Sequence, residues 1–221
     1  MTITDQQVTA VLNRLHAEAD RVDDLHVEAA RPALEAMADP RALAELLGEA
    51  YLPVPREVGE LLYTLVRGTR ARTVVEFGSS FGISTLYLAA AVRDGGIGGR
   101  VISTELHPGK AAAARGHLAE AGLGAYAEVR GGDALETLGD VAGPIDLLLL
   151  DGWEQLYLPV LVSLRARLRV GALIVADDTE VNGGRLSDYL AHVRAPGNGF
   201  HSLPLAMGDG LELTTVADGA H

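Results

Sequence analysis

The sequence has no cysteine and only one lysine, Lys110, among its 221 residues. Disulfide bonds and thiolate chemistry are therefore excluded. The remaining basic side chains are arginines, and the formal net charge of −12 leaves no basic stripe to bind a nucleic acid backbone. No apolar run reaches the roughly 18 residues of a membrane span, and no basic start precedes an apolar leader. We therefore expect a cytoplasmic protein with neither nucleic-acid nor membrane partners.

The composition, 48% hydrophobic and 22% charged, is that of an ordinary globular protein and predicts one sizeable core. The first 50 residues differ from the rest, because apolar positions recur there at helical spacing among many charges. Asp39-Pro40 interrupts this helical pattern. We predict a helical N-terminal extension over residues 1–50, acting as a lid or a dimer contact, and a main domain over residues 51–221.

From residue 72 onward, strand, glycine turn and helix follow one another repeatedly. Five apolar runs read as strands, at residues 73–77, 100–105, 126–130, 145–150 and 172–177. Their alternation with helices predicts a parallel sheet. Two further runs, at 200–206 and 211–216, flank Gly208-Asp209-Gly210, which is a hairpin signal. The predicted fold class is α/β, a Rossmann-like doubly wound seven-stranded sheet, mostly parallel with an antiparallel C-terminal hairpin, plus the helical extension.

A glycine turn follows the first predicted strand. Gly78 allows a sharp turn at the strand's end, and Gly82 allows the next helix to approach a ligand closely. Ser80 takes the place of the second glycine in the dinucleotide pattern, so a pyrophosphate-binding turn is not indicated. Taken alone, the turn is explained as well by tight strand–helix packing as by a bound ligand.

Acidic residues end the second and third strands. Glu105 stands 27 residues after Gly78, where a ribose diol would need an acceptor, although a solvated carboxylate is the alternative. Asp133 closes the third strand, where it could bond an adenine amine or cap the following helix. Because parallel strands end at one edge of the sheet, these signals and the glycine turn support one another.

Three more carboxylates end the fourth and fifth strands. Asp151 follows residues 145–150, and Asp177 and Asp178 follow the fifth run. Neighbouring strands lie about 4.8 Å apart, so we expect the three groups to converge and to repel one another unless protons or a cation compensate. Hard oxygen ligands suit Mg²⁺, with Ca²⁺ or Mn²⁺ as alternatives.

Residues 53–217 resemble the class I S-adenosylmethionine-dependent methyltransferases, specifically the catechol and caffeoyl-CoA O-methyltransferase family. The resemblance implies an S-adenosylmethionine cofactor, a small-molecule acceptor hydroxyl and a homodimer. It assigns Glu105 to the ribose and the pair Asp133 and Ala134 to the adenine. It places the methionine part of the cofactor among Val54, Glu76 acting through the turn, Gly78, Ser80 and Ser84. It also implies that Asp151, Asp177 and Asp178 bind the divalent metal.

The sequence departs from the family pattern at two positions. Asp178 stands where the family has asparagine, within a stretch from Asp177 to Gly183 that otherwise matches the family's D-N-T-x-x-N-G. Glu154 stands where the family has a lysine as general base, and a glutamate is ordinarily a weaker base. We predict Asp151 and Glu154 as catalytic residues, with Glu154 taking the proton or binding a positively charged acceptor. Trp153 is expected either to wall the cofactor and acceptor pocket, alongside Asp151, or to pack in the core.

We therefore predict an S-adenosylmethionine-dependent O-methyltransferase acting on a catechol-like acceptor with the help of a divalent metal. A metal-independent N- or C-methyltransferase, whose acidic cluster binds the acceptor, is the main alternative. A nicotinamide-dependent dehydrogenase is disfavoured because the sequence lacks a Tyr-x-x-x-Lys pair and the second turn glycine. A cofactor-binding protein without catalysis is the remaining alternative.

Overall fold

The computed structural model describes residues 3, 5–36, 39–180 and 184–217. The helices are α1 Gln6–Glu35, α2 Pro40–Leu46, α3 Arg56–Thr69, α4 Ile83–Gly95, α5 Pro108–Glu120, α6 Ala134–Thr137, α7 Tyr157–Leu164 and α8 Ser187–Arg194. The strands are β1 Thr73–Phe77, β2 Arg100–Glu105, β3 Ala127–Gly131, β4 Ile145–Leu150, β5 Leu168–Ala176, β6 Phe200–Leu205 and β7 Leu211–Val216. Among these residues, no helix is both long and apolar enough to cross a membrane.

All seven strands form one sheet in the order β3-β2-β1-β4-β5-β7-β6. The first five in that order pair in parallel, whereas β7 pairs antiparallel with both β5 and β6. The predicted fold class is thereby confirmed. Strand order reverses between β1 and β4, and in such sheets ligands bind in the crevice outside the carboxyl ends of the strands at this reversal.

The long first helix packs into the core of the sheet domain. Asp5 caps it by accepting hydrogen bonds from the backbone N–H groups of Gln7 and Val8 at 2.8 and 3.2 Å. Its buried apolar side chains Val8, Leu12 and Leu15 belong to the same cluster as those of α3, α4 and β1. The predicted break at Asp39-Pro40 is present, because α1 ends at Glu35 and α2 begins at Pro40 with Asp39 as its cap.

Two glycines of α3 have opposite surroundings, so their replacement by alanine should change the stability of the fold in opposite directions. A Cβ on Gly59 would lie 2.4 Å from the ring of Tyr87 in α4, whereas a Cβ on Gly68 would meet nothing within 4 Å. Tyr87 is itself fully buried, so Gly59→Ala should lower the free energy of unfolding by about 1–3 kcal/mol. Gly68→Ala should raise it by about 0.5–1 kcal/mol, because alanine loses less backbone freedom in a helix.

Urea unfolding of both variants measures these changes against the wild type. The pair is matched in helix and in chemistry, so only the space beside the new methyl group differs. Equal shifts in the same direction for both variants would contradict close packing of α3 against α4.

Candidate active site

A cavity of about 800 Å³ opens at the carboxyl ends of the central strands, under a roof formed by α1 and α2. Most of the residues predicted from the sequence line it. They are Val54, Gly78, Ser80, Ser84, Glu105, Asp133, Ala134, Asp151, Trp153, Glu154 and Asp178. Glu76 and Asp177 do not line it. The residues that the sequence placed at separate strand ends therefore share one chamber, with two of them behind its wall.

The turn after β1 is held in place from three sides. Gly78 has φ +96°, and a Cβ there would lie 2.2 Å from the carbonyl oxygen of Asp151. Ser80 adopts φ +45°, rare for a residue with a side chain. Its N–H donates to Glu105 at 2.8 Å, and its hydroxyl donates to the carbonyl of Tyr51 at 2.6 Å. The turn is thus tied to β4, to β2 and to the segment that precedes α3.

Glu76 supports the turn from behind. Its side chain is fully buried and accepts hydrogen bonds from the hydroxyls of Thr85 and Ser103. Burial raises its pKa, against the hydrogen bonds that lower it. One carboxyl oxygen, Oε1, has no hydrogen-bond partner among the described residues. The hydroxyl contacts of Glu76 thus tie β1 to α4 and to β2, next to the turn.

The acidic residues after β2 and β3 differ in what they already bind. Glu105 accepts the N–H groups of Ser80 and His107, both at 2.8 Å. Asp133 accepts the N–H of Leu135 at 2.9 Å and so caps α6, as the structural alternative from the sequence expected. Both residues also line the cavity, so each is available to a bound ligand besides its structural hydrogen bonds.

The three carboxylates after β4 and β5 form an acidic cluster, defined as Asp151, Asp177 and Asp178. Loss of solvent, and then repulsion from the other two groups, raises the pKa of Asp151 well above its ordinary value. Burial likewise raises the pKa of Asp177 to about 6 and that of Asp178 to about 7. The exposed carboxylate of Asp209 and that of Glu154 add repulsion at Asp178. The cluster thus holds more negative charge than its surroundings stabilise.

The acidic cluster has the oxygen donors that a divalent cation needs, but its side chains are not arranged around one metal position. Its oxygen donors are those that Mg²⁺ and Ca²⁺ take. Asp177, however, does not line the cavity, and it accepts the N–H of Asp178 at 2.9 Å. Within the described residues, no three histidine, aspartate or glutamate side chains are placed to hold a metal together. The expected convergence is therefore limited to Asp151 and Asp178 facing one cavity. Asn182 and Gly183, which complete the family-like stretch, lie outside the described residues.

Several cavity residues were missed in the sequence. Tyr51 stacks on Phe81 with ring centroids 4.2 Å apart, and the ammonium of Lys110 lies 5.6 Å from the Phe81 centroid. Lys110 lines the cavity and is 5% exposed. The signal available in the sequence was that Lys110 is the only lysine and stands five residues after Glu105. Trp153 both lines the cavity and packs beneath α1, so its two predicted roles coexist.

Comparisons with known proteins agree with this arrangement. The family described as a methyltransferase domain matches residues 75–179. The chain is 35% identical to the catechol O-methyltransferase of Mycobacterium tuberculosis over 156 residues, which are 68% of this chain and 70% of that protein. It is 30% identical to the catechol O-methyltransferase of Niastella koreensis over 154 residues, 66% of this chain and 68% of that one.

A solved structure shares the fold along most of both chains. This is the O-methyltransferase TomG from Streptomyces achromogenes in complex with S-adenosylmethionine, with a TM-score of 0.66 and 25% identity over 90% of this chain and 99% of that chain. The sequence relatives and this fold lead to the same group of enzymes. The chain belongs to the catechol O-methyltransferase family of class I methyltransferases and is an S-adenosylmethionine-dependent O-methyltransferase.

Proposed function

We propose that this enzyme methylates one hydroxyl of a small catechol-like acceptor, assisted by a divalent metal, Mg²⁺ in the first place. The observation that carries the proposal is the acidic cluster. It places Asp151 and Asp178 in the same cavity as the glycine turn, and burial, together with repulsion within the cluster, raises the pKa of both. A cation would relieve that repulsion. Ca²⁺ and Mn²⁺ are the alternative ions.

For the cofactor, we propose contacts that follow the order of the strands. The turn from Gly78 to Ser84, with Val54 beside it, takes the methionine part, and Glu76 keeps that turn in shape. Glu105 has lone pairs left after its two backbone contacts and accepts the ribose hydroxyls. Asp133 and Ala134 meet the adenine, while Asp151 and Trp153 close the cavity near the transferred methyl group.

Methyl transfer is a direct displacement in this proposal. The acceptor oxygen attacks the sulfonium methyl carbon, the S–CH₃ bond breaks, and S-adenosylhomocysteine leaves with the electron pair. Asp151 and Asp178 in the cavity, with Asp177 beside them, would hold the divalent cation, which would supply a lowered pKa of the acceptor hydroxyl. Glu154, close enough to Asp178 to raise its pKa, takes the hydroxyl proton. The cavity walls supply orientation, from which much of the rate is gained.

Calorimetric titration of Mg²⁺ into the protein saturated with S-adenosylhomocysteine tests the metal without knowledge of the acceptor. We expect one ion per chain for the wild type and at least about a tenfold weaker affinity for Asp178→Ala, because one anionic ligand is lost. Asp209→Asn is the matched control. It removes a nearby exposed carboxylate that is no proposed ligand, and it should retain near wild-type affinity.

Absence of Mg²⁺ binding would contradict the proposed role of a metal. It would favour a second candidate function, that of a metal-independent N- or C-methyltransferase. In that candidate the acidic residues bind a positively charged acceptor directly. It is favoured by the observation that, among the described residues, no three carboxylates are placed to hold a metal together. Methyl transfer would then persist undiminished in a strong chelator.

A further inference from the structure

Four cationic side chains line the cavity, and three of them face carboxylates. Arg31 pairs with Glu28 at 2.5 Å, and Arg41 lies 3.9 Å from Asp133. Lys110 lies in the field of Glu105, Asp23 and Glu49. The fourth is Arg185, which stands seven residues after Asp178, just before α8.

Arg185 has a positive charge with spare donors. It is half-buried, and its Nη2 donates to the carbonyl of Leu34 at 2.5 Å. That bond ties it to the end of α1, and among the described residues it uses one of the five N–H groups of Arg185. Among the described residues, no carboxylate forms an ion pair with it. An arginine keeps its charge, so a half-buried one with a neutral partner is well suited to a ligand anion.

The position of Arg185 gives the cavity two electrically different regions. Leu34, whose carbonyl it contacts, packs in the same small cluster as Trp153. Arg185 therefore lines the cavity where the end of α1 covers it. Asp151, Asp178 and Glu154 supply the negative region of the same cavity. A carboxylate on the acceptor would be repelled from the acidic residues and attracted to Arg185.

We propose that Arg185 binds a carboxylate of the acceptor, so that the preferred substrates are hydroxylated aromatic acids with their hydroxyls toward the acidic cluster. The guanidinium fork matches a carboxylate in two parallel hydrogen bonds. The aromatic ring between the two ends would lie against Trp153. This inference rests on the proposed function, because it takes catechol-like methylation as given and adds the charge of the acceptor.

The test uses three acceptors of matched shape, namely 3,4-dihydroxybenzoate, 3,4-dihydroxybenzamide and 3,4-dihydroxybenzylamine. For the wild type we expect kcat/KM for the benzoate to exceed that for the neutral amide by at least about tenfold, as charge-assisted hydrogen bonds allow. Arg185→Gln should abolish that preference through a higher KM for the benzoate, and leave the amide within about twofold. Glutamine keeps a polar amide but is two bonds shorter than arginine, so the contact of Nη2 with Leu34 is lost together with the charge, and the three acceptors separate the two effects.

Arg31→Gln is the matched control. It removes a positive charge from the same cavity, but one already paired with Glu28, and it should keep the preference for the benzoate. A merely structural role for Arg185 would instead lower activity with all three acceptors equally. Three results would each overturn the inference. They are an equal loss with all three acceptors, an unchanged benzoate-to-amide ratio in Arg185→Gln, and a wild-type preference for the benzylamine.

Binding separates this inference from the proposed function. Calorimetric titration of each acceptor into the S-adenosylhomocysteine complex needs no turnover. If the wild type binds the benzoate at least about tenfold more tightly than the amide, and Arg185→Gln does not, the inference holds even where no acceptor is methylated. In that case only catechol methylation fails. Equal binding of benzoate and amide by the wild type overturns the inference, whatever the turnover.

Discussion

Replacement of Asp151 by asparagine should lower kcat by about 100-fold or more while making the folded protein more stable. We expect the loss of rate because Asp151 lines the cavity, its backbone lies against the glycine turn, and it is proposed to hold the metal next to the acceptor. The gain in stability follows because its carboxylate is poorly solvated and is repelled by Asp177 and Asp178. Steady-state kinetics and urea unfolding in metal-free buffer measure the two effects separately.

The pH dependence of that gain has a definite sign. A folded-state pKa raised above the unfolded value means that the native state binds more protons, so its stability falls as pH rises through the raised pKa. Asparagine removes this loss. The variant should therefore be more stable than the wild type at pH 7, and the difference should shrink as pH falls and be lost below the unfolded pKa of aspartate, about 3.9, where Asp151 is neutral in both the folded and the unfolded state.

Asp209→Asn is the control for charge alone. Asp209 is exposed, and it raises the pKa of Asp177 and Asp178 without lining the cavity. We expect near wild-type kcat and a smaller gain in stability. An Asp151→Asn enzyme with full kcat would contradict the catalytic role of Asp151, and one destabilised at pH 7 would contradict the electrostatic account.

The sequence could predict the site where chemistry and topology coincide. Gly78, Glu105 and Asp151 follow separate strands, and a parallel sheet brings such ends to one edge whatever the intervening helices do. The same logic predicts that Asp177 converges with Asp151 and Asp178. In the structure Asp177 accepts the N–H of Asp178 and does not line the cavity. Strand ends locate a residue, whereas side-chain direction depends on local hydrogen bonds.

The individual contacts that form the roof of the cavity could not be predicted. Periodicity shows that α1 has an apolar face, but not that its first half packs on α4 while Leu34 overhangs the cavity. Arg185 carries no pattern at all, because it stands in an irregular segment whose contact, Leu34, is 151 residues away. Such pairings are tertiary. A role of the N-terminal helices in closing the cavity or in dimerisation, like a cytoplasmic location, stays a prediction.

Gly78→Ala should cost about 3 kcal/mol or more in the free energy of unfolding and strongly weaken binding of S-adenosylhomocysteine. Two independent penalties add at this position. A side chain is strained at φ +96°, and the new Cβ would lie 2.2 Å from the carbonyl oxygen of Asp151 and 2.8 Å from the Cα of Gly152. Both obstacles are backbone atoms, so no rotation of a side chain relieves them. Urea unfolding and calorimetry measure the two losses.

Gly96→Ala separates backbone strain from the collision. Gly96 caps α4 with φ +66°, and a Cβ there would meet nothing within 4 Å. It should cost only about 1 kcal/mol, the price of a left-handed alanine, with cofactor affinity unchanged. If the two variants were equally destabilised, strain alone would account for Gly78. If instead only Gly78→Ala loses the cofactor, the turn proposed to hold S-adenosylmethionine depends on its close approach to the backbone of Asp151, the residue proposed to face the acceptor. The position of the methyl donor is then set directly against the acidic cluster.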